Sequence, residues 1–315
     1  MKAAVIYEYG GPEVFRIEEI PEPVINENEI LVRVHAASVN PVDWKQRRGN
    51  HKFFLKADFP VVPGYDVSGV VERCGADCGE FKSGDEVYCR LRRKFGGAFA
   101  EFAAAPITAT ALKPKNIDHL HAAGIPLAGQ TALQAFRDKV SLKPGMQVMI
   151  IGAAGGVGHF AVQIAKYYGA EITAVCSSDH PELLKRLKPD HHIDYRITDY
   201  LSAPGRYDVI FDAAGKETFL SCRGILKNGG VYITSLPRIK LLAHKFVSLF
   251  TRGKRVKTLL QRPRSRDLAF LATLVEEGKL EVIIDSVHPL EEISDAHRRA
   301  EEYSTEGKII VKVRE

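Results

Sequence analysis

The sequence predicts an α/β protein in which a doubly wound parallel sheet is set into a second domain of short strands. Three observations carry that expectation. Residues 148–169, VMIIGAAGGVGHFAVQIAKYYG, pass from an apolar run through a glycine turn into a stretch with helical spacing at Phe160, Ala161, Ile164 and Ala165. After it, short apolar strands alternate with helical segments, which is the pattern of a parallel sheet covered by helices. Before it, residues 1–118 read as short strands broken by proline and glycine, the pattern of a small barrel.

Each element follows in order. Residues 2–7, 30–36, 60–73, 86–90 and 96–102 read as strands, with a bulge expected at Leu31. Turns fall at Gly10-Gly11-Pro12, Pro63-Gly64 and Gly84-Asp85. From His119 the character changes. Residues 120–124 and 129–140 read as helical, and Lys143-Pro144-Gly145 turns the chain into the strand at 148–151. Further strands are expected at 171–176, 191–195, 207–212 and 231–236, with helices at 181–187 and 219–226. The last elements are a helix at 266–277, strands at 280–285 and 308–313, and a helix at 290–303 between them. These return to the first domain, because the parallel sheet is already complete. The expected domains are therefore 1–120 with 263–315, and 121–262.

Composition removes several function classes. No apolar run approaches the roughly 18–20 residues that span a bilayer. The first residues hold too short an apolar stretch for a signal peptide, so a cytoplasmic location is the default. The five cysteines, Cys74, Cys78, Cys89, Cys176 and Cys222, are odd in number and scattered, against a disulfide framework. Cys74 and Cys78 lack the second close pair that a structural zinc site needs. A net charge of +5 suits an anionic cofactor as well as nucleic acid.

The glycine element is where chemistry is expected. Gly152, Ala153, Ala154, Gly155, Gly156, Val157 and Gly158 form a tight turn that lets backbone approach a pyrophosphate at a helix N-terminus. The same glycines would also serve close packing of helix on strand. Ligands sit at the carboxyl ends of parallel strands, so Cys176, Ser177 and Ser178, the loop Ala213, Ala214 and Gly215, and Ser235 with Leu236 share one rim. Residues 237–263 are different. Arg238, Lys240, His244, Lys245, Arg252, Lys254, Arg255 and Lys257 alternate with apolar residues, as a solvated helix, an active-site lid, a dimer contact, a membrane-surface helix or a nucleic-acid patch would.

Taken together, these pieces resemble the zinc-free branch of the medium-chain dehydrogenase/reductase superfamily, in particular NADPH-dependent quinone oxidoreductases and alkene (enone) reductases. The resemblance rests on SVNPVDWKQRRG at 38–49, FPVVPGYDVSGVV at 59–71, FKSGDEVY at 81–88, GGAFAEF at 96–102, AGQTA at 128–132, IIGAAGGVG at 150–158 and GKIIVKV at 307–313. It implies a Rossmann domain inserted in a GroES-like β-barrel catalytic domain built from both chain ends.

The resemblance carries expectations about metal, cofactor and site. Zinc-dependent relatives place a cysteine where Ser38 and Asn40 stand, and Gly-His-Glu where Gly64-Tyr65-Asp66 stands. Without thiolate or imidazole there, no catalytic zinc is expected, and the chemistry narrows to hydride delivery onto an already electrophilic small molecule. NAD-binding domains hold the ribose with an acidic residue at the end of the second strand. Here that place is Cys176, followed by Ser177-Ser178, and Tyr195 matches a family tyrosine at the 2′-phosphate, so NADPH is the expected cofactor. Against it stands Asp179, where the family often has lysine; His180, Lys185 or Arg196 would have to compensate. By resemblance Asn40, Asp43, Lys45, Arg47 and Tyr65 are the catalytic candidates. Thr131, Ser235, Leu236 and Lys308 join the cofactor residues, and a homodimer is the expected assembly. Asp43 and Arg47 would also be explained as a pair that fixes their loop. The alternatives are an enoyl-thioester reductase, for which the basic segment 238–266 would suit a phosphate-bearing carrier, and an inactive cofactor-dependent RNA- or membrane-binding module.

Overall fold

A computed structural model describes residues 1–50, 52–53, 56–202, 205–235, 253–302 and 304–314. The chain divides into two units. One comprises Met1–Gln130, Arg262–Gly278 and Val282–Glu315; the other comprises Thr131–Gln261 and Lys279–Glu281.

The first unit opens with strands β1 (Lys2–Val5) and β2 (Arg16–Glu19), which pair with each other. Next comes β3 (Glu29–Val39), then a helix that the sequence did not announce, α1 (Pro41–Arg47). Seven residues are too few to show helical periodicity, but Pro41 at the first helical position is a start signal. Strands β4 (Asp66–Cys74), β5 (Glu86–Arg90), β6 (Phe102–Pro106) and β7 (Thr110–Leu112) follow, then helices α2 (His119–Ala123) and α3 (Pro126–Gln134).

The second sheet begins at β8 (Gln147–Ile151) and runs through α4 (Gly158–Tyr167), β9 (Glu171–Val175), α5 (Pro181–Leu187), β10 (His191–Ile193) and β11 (Tyr207–Asp212). It ends with α6 (Phe219–Cys222), β12 (Leu226–Thr234) and β13 (Arg255–Thr258). The chain then forms α7 (Ser265–Glu276), β14 (Ile284–Pro289), α8 (Ile293–Glu301) and β15 (Lys308–Lys312).

In the first unit β3 is the hub. It pairs antiparallel with β4, β6 and β15, and the register shifts at Leu31/Val32, where the bulge was expected. With three partners it is buried along nearly its whole length rather than on one face, and Ile30, Val32, Val34, Ala37 and Val39 line the core. Register at one end of this sheet builds a polar cluster. Ser38 lies opposite Asp66, Asp66 opposite Arg90, and Ile309 opposite Val39, which brings Lys308 beside Asn40.

The other unit carries a parallel sheet of order β10-β9-β8-β11-β12-β13. The order reverses between β8 and β11, and a crevice forms at such a switch point in doubly wound sheets. The sixth strand corrects the expectation that the sheet was complete at residue 236. Arg255, Val256 and Lys257 belong to the basic stretch read as amphipathic, yet Val256 is buried while its basic neighbours are not, a period of two on a charged edge strand. Residues 236–252, with Leu236 and most of that basic segment, lie outside the described residues. The strand expected at 280–285 begins only at Ile284; Leu280 and Val282 are buried without joining a ladder, so their apolar pattern signalled burial rather than pairing. Helix α6 stops at Cys222, and β12 starts at Leu226, before the two glycines that were expected to open it.

Candidate functional site

In the parallel-sheet unit the strand ends are laced together. The Ile151 carbonyl accepts from the amides of Ala213 (3.1 Å) and Ala214 (3.3 Å), and the Val175 carbonyl from those of Gly152 (2.9 Å) and Ala153 (3.2 Å). The glycines of the turn divide by cause. Gly152 has φ +80°, and a Cβ there would press on Ala214. A Cβ at Gly158 would collide with the Gly152 carbonyl, so a helix can leave the strand this closely only from glycine. At Gly155 a Cβ would meet nothing nearer than the Gly152 oxygen at 3.5 Å. The fold does not require glycine there. Helix α4 starts from Val157 with no side-chain cap; the His159 amide donates to the Gly155 carbonyl (3.1 Å), and no side chain among the described residues covers the positive end of the helix dipole.

Beyond β11 the loop of Ala213, Ala214 and Gly215 is set by Asp212. Its fully buried carboxylate accepts from the amides of Lys216 (3.2 Å) and Glu217 (2.8 Å) and from the Tyr232 hydroxyl (2.9 Å). Burial pushes this carboxyl above its ordinary range. Ser235 is half-buried just past β12, and Thr131 is buried on α3.

The segments after β9 and β10 are joined through Asp194, which sequence reasoning passed over. Its buried carboxylate accepts from the amides of Ser178 (2.8 Å) and Arg196 (2.9 Å) and from the Arg196 guanidinium. These bonds hold it well below the usual carboxylate range. Arg196 reaches across to Asp179 with both terminal nitrogens, at 2.5 and 3.0 Å, and the Ser177 hydroxyl donates to Asp179 at 3.3 Å. Tyr195 is half-exposed, with the Lys216 amine 5.3 Å from its ring centroid. Ser177, Ser178, Asp179, Tyr195 and Arg196 are therefore neighbours.

The barrel unit assembles the remaining candidates, with different fates. The Asn40 amide is fixed at both ends, donating to Asp66 (2.9 Å) and accepting from the Lys308 amine (2.6 Å). Asp66 also accepts from the Ser38 hydroxyl (3.3 Å) and the Leu127 amide (3.1 Å), the latter in the first turn of α3 where a carboxylate is favoured. Asp43 accepts from the Asn40 amide nitrogen at 2.7 Å, the backward half of a capping box on α1. Its other oxygen is buried without a hydrogen bond, and burial pushes the carboxyl up to about 8.

Asp43 and Arg47 do not pair. Arg47 is fully buried and donates to the Gly10 carbonyl (2.7 Å), His297 Nδ1 (3.3 Å) and Glu301, because α1 turns that side chain towards α8. Tyr65 lies under the Arg90 guanidinium, and its hydroxyl accepts from Gln46 (2.9 Å) and donates to the Lys94 carbonyl (2.8 Å). Lys308, expected among the cofactor residues, is fully buried against Asn40 and Val39. Lys45 alone of the five catalytic candidates keeps its head group out of hydrogen bonds among the described residues; it lies over the Trp44 ring, and partial burial lowers its pKa.

This donor set does not suit zinc. The Asn40 amide is bonded to the Asp66 carboxylate and the Lys308 amine, and Asp66 to the Ser38 hydroxyl, with neither thiolate nor imidazole in the set. Among the described residues no three His, Cys, Asp or Glu side chains gather as metal ligands do. The glycine turn and the uncapped start of α4, by contrast, fit a dinucleotide.

Residues 26–115 match the alcohol dehydrogenase GroES-like domain, and residues 187–311 match the family described as zinc-binding dehydrogenase. The chain is 35% identical over 96% of its length to the chloroplast envelope quinone oxidoreductase homolog of Arabidopsis thaliana, covering 95% of that protein. The chain belongs to the quinone oxidoreductase family of medium-chain dehydrogenases/reductases. Another member, the NADPH-dependent alkenal/one oxidoreductase of Arabidopsis thaliana chloroplasts, is 34% identical over 99% of the chain and 79% of its own length. The solved quinone oxidoreductase of Coxiella burnetii superposes with a TM-score of 0.92 at 33% identity, over 100% of this chain and 99% of that one. The family's zinc-binding relatives lend the second match its description, not a ligand set to this chain. Among the described residues no helix is long and apolar enough to cross a membrane.

Proposed function

We propose that this chain is an NADPH-dependent reductase of quinones or α,β-unsaturated carbonyl compounds. The observation that carries the reading is Gly155, bare of side chain where the protein itself leaves room for one, at the switch point of a parallel sheet. The relatives named for NADPH-dependent alkenal/one and quinone reduction support it.

Gly155, Gly156 and the first turn of α4 hold the pyrophosphate, and Ser177, Ser178 and Tyr195 hold the 2′-phosphate end. Ala213, Ala214, Gly215, Thr131 and Ser235 position the rest of the cofactor. Bound NADPH supplies the hydride. The protein's part is to orient the electron-poor acceptor and to stabilise the oxyanion that develops on it. Asn40, locked between Asp66 and Lys308, keeps one orientation and offers a fixed surface. Lys45 brings a cation without a carboxylate partner among the described residues, so it is the candidate donor to the oxyanion. Tyr65 orients rather than protonates, because its hydroxyl proton is engaged by Lys94.

Following NADPH oxidation across 1,4-quinones, enones and enoyl thioesters tests this. Turnover with a quinone or enone is expected; turnover confined to enoyl thioesters, or none, refutes it. A homodimer completes the proposal on the family resemblance, and a cytoplasmic location as the default reading of the sequence, with light scattering and cell fractionation as their checks.

A further inference from the structure

Asp179 is the feature that the proposed function does not absorb: an anion where a phosphate is to bind. The structure pairs it with Arg196. The guanidinium lies between two carboxylates of unlike character. Asp194 is 5% exposed and grips Arg196 through Nε, Nη2 and the backbone amide, whereas Asp179 is 64% exposed and meets Nη1 and Nη2 side by side. The buried acid is the mount, and the exposed acid is the occupant. A two-pronged contact of this kind is what a guanidinium offers equally to a carboxylate or a phosphate. Two other cations of this unit are placed differently: Lys185 is 2.6 Å from Glu182, and Lys216 lies over the Tyr195 ring.

We propose that Arg196 is the specificity-determining residue for the 2′-phosphate of NADPH, and that Asp179 occupies its fork as an internal competitor which that phosphate must displace. NADH, lacking the phosphate, leaves the pair intact, so Asp179 narrows the preference for NADPH without weakening NADH. The inference rests on the NADPH reading. Ser177 bonds the same Asp179 oxygen that receives Nη1, so displacement frees a hydroxyl and a guanidinium together.

The test is equilibrium binding of NADPH, NADH and 2′,5′-ADP to the full chain, measured by calorimetry for the wild type, Asp179→Asn and Arg196→Met. Asp179→Asn is expected to tighten NADPH and 2′,5′-ADP about fivefold or more, with NADH within about twofold, the scale of a hydrogen bond to a charged group. Arg196→Met is expected to cut the NADPH-over-NADH preference about tenfold or more, and Arg196→Lys to restore only part of it, because lysine keeps the charge without the fork. Unchanged or weaker NADPH binding in Asp179→Asn overturns the competitor. A retained preference in Arg196→Met overturns the anchor. Should the wild type bind neither NADPH nor 2′,5′-ADP, the NADPH reading itself falls, a result distinct from the other two.

Discussion

The two clusters of charged and polar side chains, one in each unit, obey opposite rules. Around Asn40 in the barrel unit, Ser38, Asp43, Asp66 and Lys308 are fully or nearly fully buried and bonded mainly to one another and to backbone. Around Arg196 in the parallel-sheet unit, Asp194 and Ser177 are buried, whereas Asp179, Tyr195 and Arg196 itself face solvent. A buried group left without its partner carries its full desolvation penalty, whereas an exposed group exchanges its partner for water at little cost. The barrel cluster is thus organised to hold a geometry, and the phosphate-end cluster to exchange one ligand for another. Substitutions in the first should register as stability, and in the second as affinity.

Several variants would break or sharpen that contrast. The largest effect is expected for Lys308→Ala, which strips buried Asp66 of its chief favourable cation and Asn40 of its donor. A loss of about 3–5 kcal/mol in denaturant unfolding is expected, the scale for breaking a buried charged contact; a loss below about 1 kcal/mol would put Lys308 outside the network. Next is Gly155→Ala. NADPH affinity should fall about tenfold or more by calorimetry while the melting temperature holds, because the protein leaves space for that Cβ. Wild-type affinity in this variant would remove the phosphate cradle from the account. Lys45→Met should lower kcat about tenfold or more with the Kd for NADPH unchanged, as befits a donor to a developing oxyanion; a change confined to KM would assign it to substrate binding alone.

Asp43 is separated by pH rather than by size of effect. Its folded pKa is raised from 3.8 to about 8, so the folded state holds a proton that the unfolded chain has released. The stability this contributes is present below about pH 4 and is lost as pH rises towards 8. Asp43→Asn, which keeps an acceptor for the Asn40 amide, should therefore gain on the wild type in melting temperature across that window. Parallel pH profiles would show Asp43 to be ionised in the fold. The smallest effect belongs to Lys185→Ala, whose pair with Glu182 is exposed at 71% and 78%; a change within about 0.5 kcal/mol is expected.

How much of this could be read from residues alone follows the range of the interactions. The glycine turn is local, so strand, turn and helix are legible in consecutive letters, as are the parallel strands after it. Strand β13 was hidden because Arg255 and Lys257 made a short edge strand look like part of a basic helix. The barrel cluster was legible only as a set of names. That Asn40 lies against Lys308 is a matter of strand register across most of the chain, and no local pattern carries register. Arg47 is the instructive case. It stands four residues after Asp43, the spacing of a helical pair, yet tertiary contacts with Gly10, His297 and Glu301 capture it instead. Asp194 and Asp212 were missed because a carboxylate that organises a loop looks like any other acid until its amide partners are known. The signal that could have found them was their place at strand ends, each directly before residues already assigned to the cofactor.

The most direct test of the central claim is a single-turnover measurement with the purified chain, NADPH and either a 1,4-quinone or an enone, in parallel with Gly155→Ala. NADPH is expected to be oxidised in step with reduction of the acceptor, faster than NADH, and Gly155→Ala to slow the reaction at limiting NADPH while saturating NADPH restores it. Absence of hydride transfer to either acceptor, or a Gly155→Ala protein that behaves as the wild type at every concentration, would contradict that claim.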